Sequence, residues 1–429
     1  MHSSNKTLLT MAIAAIVSQS PTAQAITANQ LAEQFEAYKA QQAKELAVIR
    51  AENAQLKQEN ATLKKQFEET QRKVSNNAEA VDTVAENLET GTGKSGWWEK
   101  TTIGGYGELH YNNHLTESNP RERKNEIDFH RFVLFFGHHF TDKLRFFSEL
   151  ELEHSVAGDG EVGEVELEQA YLEYDFNDWA SAKAGLFLMP VGILNETHEP
   201  DTFYGVERNQ VEKNIIPATW WEGGAAVNVH FANGISADLA ITSGLKLDES
   251  YSIRSGRGKV GKQDASDPII AARVKYTGIP GLEMASTILH QTDMEQRQTG
   301  IPIGGGTLYE AHIIYSHEIG PGTFSGRALF ALWDLDIDNP AAHDAENQYG
   351  WYIEPSYRIP TPMGDVGAYG RFEQLQYFNK SVKKSNIWST GLNWWIHKNV
   401  VLKGTYFYED KRDGTSNIRG FDLGIGYQF

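Results

Sequence analysis

The last twelve residues, Ile418-Arg-Gly-Phe421-Asp-Leu423-Gly-Ile425-Gly-Tyr427-Gln-Phe429, decide the fold. Phe421, Leu423, Ile425, Tyr427 and Phe429 recur at period two, so an extended strand here shows one wholly apolar face. The residues between them, Gly420, Asp422, Gly424, Gly426 and Gln428, are small or polar. A strand with hydrocarbon on one side and water on the other is what a transmembrane β-barrel uses for its wall. A half-buried strand of a soluble sandwich shows the same alternation, so the rest of the chain has to decide between the two.

The amino terminus favours the barrel. Lys6 precedes a short apolar core from Leu8 to Val17, and Ala23-Gln24-Ala25 has the A-x-A form of a cleavage site, so residues 1–25 read as a secretory signal peptide. That core is too short to cross a bilayer as a helix. The mean hydropathy of −0.47 is that of a water-soluble protein, but a barrel hides in this way because only alternate residues face lipid. The chain has no cysteine, which excludes disulfides and thiolate chemistry. Its net charge of −18 argues against nucleic acid as a partner.

From Ile26 to Leu88 the chain contains no Gly, Pro or Trp, and Ala, Gln, Glu, Lys and Asn dominate. Positions Ile49, Asn53, Leu56, Asn60, Leu63, Phe67, Thr70, Val74, Asn77, Val81, Val84 and Leu88 alternate spacings of four and three, a heptad seam that predicts a coiled coil over residues 26–90. Asn53 and Asn60 in the seam would fix register and strand number at some cost in stability. Residues 91–100 are a linker, opened by the helix-breaking Gly91-Thr-Gly93-Lys-Ser-Gly96. The run has glycines and a lysine in the manner of a phosphate loop, but no strand precedes it.

Residues 101–429 read as all-β. None of the 10 Trp precedes Trp97, and Trp97-Trp98, Trp220-Trp221 and Trp394-Trp395 stand at expected strand ends, where aromatic girdles lie. Tight turns at Thr141-Asp-Lys143, Asn177-Asp-Trp179, Ala232-Asn-Gly234, Ile319-Gly-Pro-Gly322 and His397-Lys-Asn399 alternate with longer polar loops such as Gly244 to Asp267. The segments predict about sixteen antiparallel strands, a size that leaves an aqueous channel.

Alternation then assigns the walls. In Leu144 to Glu153 the lipid face is Leu144, Phe146, Leu150 and Leu152, which turns Arg145, Glu149, Glu151 and Glu153 inward. The same reading puts Arg131, Glu173, Lys183, Arg273, Lys275, Glu310, His312, Arg327, Arg371 and Lys403 in the lumen. A basic residue facing lipid at the bilayer midplane costs roughly 2–4 kcal/mol, so the inward placement wins. Acids fall on the third and fourth strands and bases mainly on the eighth to fifteenth, which implies opposed acidic and basic walls.

One connection differs from the rest. The stretch from Met189 to Trp220 follows the fifth strand and has no strand pattern, yet Ile, Val, Phe and Tyr occur throughout. Such a loop packs against something, and folded into the barrel it would narrow the pore. Its charged residues Glu196, His198, Glu199, Asp201, Glu207, Arg208, Glu212 and Lys213 would then set selectivity. His198-Glu199 lacks a second clustered His, so no metal ligand set is assigned. No Ser-His-acid spacing and no cofactor motif stands out, so neither a catalytic residue nor a cofactor is expected.

Phe129-His-Arg131-Phe-Val-Leu-Phe-Phe-Gly137, Glu168-Gln-Ala170-Tyr171-Leu-Glu173-Tyr174 and Gly185-Leu-Phe187-Leu-Met-Pro190-Val-Gly192 resemble the early-strand motifs of the phosphate-selective porin O/P family. The helical leader is similar to that of the DcaP-like trimeric porins, and the terminal Phe429 with Tyr427 resembles the signature that addresses bacterial outer-membrane barrels to the barrel-assembly machinery. These resemblances imply a homotrimer of 16-stranded barrels in the outer membrane of a Gram-negative bacterium, a periplasmic coiled coil and a third loop forming the constriction. Leu188 stands where the phosphate-selective members often carry a basic residue, and the balance of charge is acidic. The expected function is therefore passive diffusion of small hydrophilic solutes. The first alternative is a channel selective for phosphate or small carboxylates, with Arg131, Lys183, Arg208 and Arg273 as anion contacts. An envelope-tethering or adhesive protein is the alternative from another class.

Overall fold

The computed structural model describes residues 96–119, 121, 123–297, 300 and 302–429, with helical pieces at 36–41, 43–44 and 57. The chain divides into two compact units, Met1–Lys94 and Ser95–Phe429. The signal peptide, every position of the heptad seam and residues 91–95 of the linker lie outside the described residues. Trp97–Lys100 forms a single 3-10 turn that leads into the first strand.

The second unit is one closed antiparallel barrel of 16 strands. They are β1 (Thr101–Thr116), β2 (Arg123–His139), β3 (Leu144–Glu153), β4 (Val165–Asn177), β5 (Ala180–Leu188), β6 (Trp221–His230), β7 (Ile235–Thr242) and β8 (Ile269–Tyr276). They continue as β9 (Leu282–Gln291), β10 (Ile303–Ile319), β11 (Gly322–Ile337), β12 (Asn347–Ile359), β13 (Asp365–Asn379), β14 (Ser381–His397), β15 (Val400–Lys411) and β16 (Ile418–Gln428). The terminal strand closes the ring on β1, with Leu109 opposite Ile425. Beyond that pairing Phe429 N donates to the Gly105 carbonyl at 2.9 Å and Gly105 N returns the bond to the Phe429 carbonyl at 3.0 Å. Closure leaves no unpaired strand edge, which a spanning sheet requires because lipid offers its N–H and C=O groups no partner.

Period two runs around the whole wall. Ile103, Leu134, Leu150, Leu172, Leu239, Ile270, Ile288, Ile313, Phe330, Ile353, Leu392 and Leu423 are exposed on the outside, which gives the barrel its apolar belt. Trp394 and Trp395 split by the same rule, since neighbours on a strand point opposite ways. Trp394 is exposed while Trp395 is buried, and Trp220 and Trp221 are both buried rather than forming a girdle.

The interior is not a uniform water-filled tube. Residues 189–220 between β5 and β6 (loop L3) and residues 243–268 between β7 and β8 (loop L4) fold inward, and L3 carries the short helix α1 (Gln210–Asn214). Val191, Ile193, Leu194, Val211, Ile215, Ile216 and Trp220 of L3 join Leu245, Leu247, Tyr251 and Ile253 of L4 in one apolar core. The barrel wall completes it with Leu289, Leu308, Leu329, Trp333, Tyr352 and Leu375 from β9 to β13. L4, expected from sequence as a longer polar loop, therefore supplies core residues, because Leu245, Leu247, Tyr251 and Ile253 have this surface to cover.

Candidate functional site: a loop-crossed lumen

L3 is held by polar anchors that its apolar side cannot provide. Asn209 caps α1 by accepting from Glu212 N at 2.8 Å. Glu212, fully buried, accepts from Ile193 N at 2.9 Å and Leu194 N at 2.6 Å, and Tyr352 Oη donates to it at 2.7 Å. One carboxylate thus ties both ends of the loop to β12. Asn195 repeats the device: its Nδ2 donates to the carbonyls of Met189 (2.8 Å) and Trp220 (2.9 Å), and its Oδ1 accepts from Trp220 N at 2.6 Å. Glu373 on β13 accepts from Gln210 N at 2.5 Å at the start of α1.

The loop then reaches strands on the opposite side. Arg131 Nη2 on β2 donates to the His198 carbonyl at 2.8 Å, and His198 Nε2 lies 3.4 Å from Glu149 on β3 and 3.5 Å from Glu168 on β4. Glu207 meets His110 Nδ1 at 3.1 Å and Asn112 Nδ2 at 3.0 Å, both on β1. Glu199 and Asp201 contribute backbone carbonyls, to Thr202 N (3.1 Å) and Trp395 Nε1 (3.2 Å) respectively. Inward glycines on the wall make room for this passage. A Cβ at Gly426 would lie 2.4 Å from Pro200, one at Gly350 2.9 Å from Val211, and one at Gly367 2.4 Å from the Tyr204 hydroxyl. The alternating glycines of the terminal strand are thus the space through which L3 runs.

The inward residues read from alternation all face the lumen, but their charges do not form two opposed walls. Arg273 pairs with Glu196 of L3 and, at 2.8 Å, with Asp238 on β7. Arg371 binds Glu354 (3.0 Å) and Glu373 (2.9 Å), and Arg145 binds Glu173 (2.9 Å) and Asp175 (2.5 Å). Arg131 binds Glu108 at 2.5 Å, Lys275 lies 4.0 Å from Glu283, and His312 meets Glu310 at 2.7 Å. Lys183 sits over the rings of Tyr171 and Phe187, Lys403 lies 3.7 Å from the centre of the Phe203 ring, and Arg327 donates to the Thr202 carbonyl at 2.7 Å. Arg145, Arg273, Lys275 and Arg371 are thus matched by nearby carboxylates, which breaks up the expected basic wall, whereas Lys183, Arg327 and Lys403 rest on rings or a carbonyl.

Charge separation occurs at a different place. A cavity of about 170 Å³ lies between the inward loops and β1–β4. Its wall side carries Glu108, Glu151, Glu153, Glu166 and Glu168 together with His110, His130 and Arg131, and its loop side Arg208 and Lys213 of L3 with Arg254, Arg257 and Lys259 of L4, beside Glu207. Burial holds Arg208, Lys213, Arg254 and Arg257 below their ordinary proton affinities, and neighbouring cations add to this: Arg131 on Arg208, Arg257 on Arg254, and Arg208 on Arg257. Arg254 donates to the carbonyls of Lys213 (2.9 Å) and Ala218 (2.8 Å), and Arg257 to that of Thr219, contacts that fix the guanidinium groups without neutralising them. Arg254 and Arg257 are not among the residues expected from sequence, where L4 reads only as a longer polar loop. The signal was present in Leu245, Leu247, Tyr251 and Ile253, apolar residues too closely spaced for an exposed loop. On the opposite side of L3, Glu196, Lys183, Arg273 and Lys275 line a second cavity with residues next to the short turns.

No protein-family profile matches the chain. Among solved structures it is similar in fold to the anion-selective porin of Comamonas acidovorans, with TM-score 0.52 and 10% identity over 77% of this chain and 99% of that one. OprB of Pseudomonas putida aligns with TM-score 0.50 and 10% identity, covering 77% and 94%. The DcaP channel of Acinetobacter baumannii aligns with TM-score 0.48 and 11% identity. The first two likenesses show the outer-membrane porin fold. In sequence, an uncharacterized protein of Aquifex aeolicus (strain VF5) is 30% identical over 347 residues, spanning 74% of this chain and 77% of that protein. The chain therefore belongs to the same protein family as that Aquifex aeolicus protein, on the scaffold of an outer-membrane porin.

Proposed function

We propose that this protein is an outer-membrane porin that lets small hydrophilic solutes diffuse past the L3 constriction. The observation that carries the reading is the charge lining of the cavity beside L3, where carboxylates on β1, β3 and β4 face Arg208, Lys213, Arg254 and Arg257 of L3 and L4. A transverse field of this kind orients small dipolar and charged solutes and slows apolar ones, which is how a water-filled constriction discriminates. Planar-bilayer recording tests it. Ohmic single-channel steps that fall when Arg254 and Arg257 are replaced by Trp support the reading, and a bilayer that stays silent with correctly folded protein sinks it.

Anion preference is the second reading, favoured by the cluster of Arg208, Lys213, Arg254 and Arg257. Phosphate and small carboxylates are its natural substrates, and of the anion contacts expected from sequence Arg208 belongs to the cluster and Arg131 lines the same cavity. Reversal potentials in a salt gradient separate the two readings. The heptad seam from Ile49 to Leu88 supports a homotrimer with a periplasmic coiled coil, because a lone helix would leave its apolar stripe in water. Deleting residues 26–88 and weighing the detergent-solubilised particle tests this part, and a monomeric full-length protein would refute it.

A further inference from the structure

His198 sits where L3 touches β3 and β4, and its surroundings do not fit a simple hydrogen bond. Its Nδ1 lies 3.3 Å from the Asn195 carbonyl, which can only accept, so Nδ1 carries a proton and in the neutral ring Nε2 presents a lone pair. Nε2 points at Glu149 Oε1 (3.4 Å) and Glu168 Oε2 (3.5 Å). All three residues are at most 2% exposed, and neither His198 Nε2 nor Glu168 Oε2 has a hydrogen-bond partner. With the ring neutral, three acceptors thus converge in a buried place where the one donor found, Tyr106 Oη, reaches Glu149 Oε1 at 3.4 Å.

A divalent cation resolves the conflict. Zinc bonds of about 2.0–2.2 Å to nitrogen and oxygen at tetrahedral angles put ligand atoms about 3.4 Å apart, which matches the spacings found. Gln169 Nε2 donates to the other oxygen of Glu149 at 2.7 Å, and the Asn195 carbonyl orients the imidazole, so the ligands have the outer partners that metal ligands usually have. The surrounding charge agrees. Glu108, Glu149, Glu151 and Glu168 are each at most 3% exposed, and Arg131 and His110 both engage Glu108, which leaves the other three with no ion pair among the described residues except to His198. Buried carboxylates in such excess need a further positive charge. Glu168 lines the cavity beside L3, which provides an access route for the ion. The second cluster of this kind, Asp128 with His130 and His154, is half-exposed and already explained by hydrogen bonds of 2.8 Å to His154 and 3.3 Å to His130.

We propose that Glu149, Glu168 and His198 bind one zinc-like divalent cation, with water in the fourth position, and that the ion pins L3 to β3 and β4. Untagged full-length protein in detergent, stripped with a chelator and titrated with Zn²⁺ by calorimetry, tests this. One ion bound per chain is expected, with affinity falling at least about tenfold in His198→Ala and in the isosteric Glu168→Gln, and unchanged in Asp128→Asn. Zn²⁺ should also slow proteolytic cleavage within L3 in the parent protein and not in Glu168→Gln. Absence of stoichiometric binding overturns the proposal and leaves a doubly protonated His198 as the bridge between the two carboxylates. Binding abolished by Asp128→Asn instead of Glu168→Gln overturns it as well. Glu168→Gln keeps side-chain shape, so a failure of His198→Ala to fold does not remove the test.

Discussion

The two halves of the lumen obey different rules. From β9 to β13 the inward face includes Leu289, Leu308, Leu329, Trp333, Tyr352 and Leu375, buried under L3 and L4 as in a soluble domain. From β1 to β4 it presents Glu108, His110, Arg131, Glu149, Glu151 and Glu168, packed against the same loops through charge and hydrogen bonds. The apolar half therefore packs against L3, and in the proposed porin the charged half would set what passes beside it. A porin constriction built in this way separates stability from selectivity, so substitutions in each half should have separable effects.

The largest expected effect lies in the apolar half. Trp333 packs its ring 6.4 Å from that of Trp220 and donates Nε1 to the Ile215 carbonyl at 2.8 Å. Trp333→Ala removes both contacts and opens a cavity, a loss of about 3–5 kcal/mol, most of which L3 should bear because the strand ladder is untouched. Faster cleavage of L3 by protease and a wider range of single-channel conductance are expected in a barrel that still shifts on heating in detergent gels. If loop cleavage and conductance both stay at parent values, the core does not position L3 and the contrast between the halves fails.

Next comes the anchor between the halves. Glu212→Ala leaves the N–H groups of Ile193 and Leu194 buried without their acceptor, at a cost of roughly 2–4 kcal/mol. Glu212→Gln keeps one oxygen and should lose less. Urea unfolding of refolded protein in vesicles compares them, and equal losses in the two variants would show that packing rather than these bonds holds the loop.

How far the sequence reveals this molecule follows from the same contrast. The wall was legible because lipid imposes a strict alternation, and the inward placement of Arg145, Glu149, Glu151, Arg273 and Arg371 follows from period two alone. The inward folding of L3 was legible from its apolar content. Which partner each charge meets was not, since Arg273 finds Glu196 and His198 finds Glu149 and Glu168 across long sequence separations that no local pattern encodes. Gly424 and Gly426 read as the small side of a strand, whereas their role is to leave room for Val206 and Pro200. The inward course of L4, and with it Arg254 and Arg257, was missed because a loop of mixed composition looks external until it has a surface to cover.

In the charged half, effects on ion preference should exceed those on stability. Replacing Arg254 and Arg257 together with Gln should move the reversal potential toward cations, with a shift that shrinks as salt shortens the reach of each charge. The pH dependence has a definite sign. Burial holds Lys213 below the ordinary lysine range, with Arg254 and Arg208 adding to the effect, so on raising the pH it discharges before an exposed lysine would. Anion preference should therefore fall as the solution is made alkaline, and Lys213→Gln should remove that early part of the fall. A pH profile identical in parent and variant would show that Lys213 does not face the permeating ions.

The smallest expected effect sharpens the boundary of the site. Lys259 lies at the outer rim, paired with Glu164 at 2.7 Å and with Glu166. Its side chain is 38% exposed and that of Glu164 59%, so water and salt screen the pair and Lys259→Gln should cost less than about 1 kcal/mol. Because its charge is already matched by two carboxylates, its loss should shift the reversal potential less than loss of Arg257, whose guanidinium rests on a neutral carbonyl. The comparison is made at low and high salt on the single variants. A Lys259→Gln shift equal to that of Arg257→Gln at both salt concentrations would mean that selectivity is set at the mouth of the barrel, and that the line between a fixed loop core and a selective charged face has been drawn too deep.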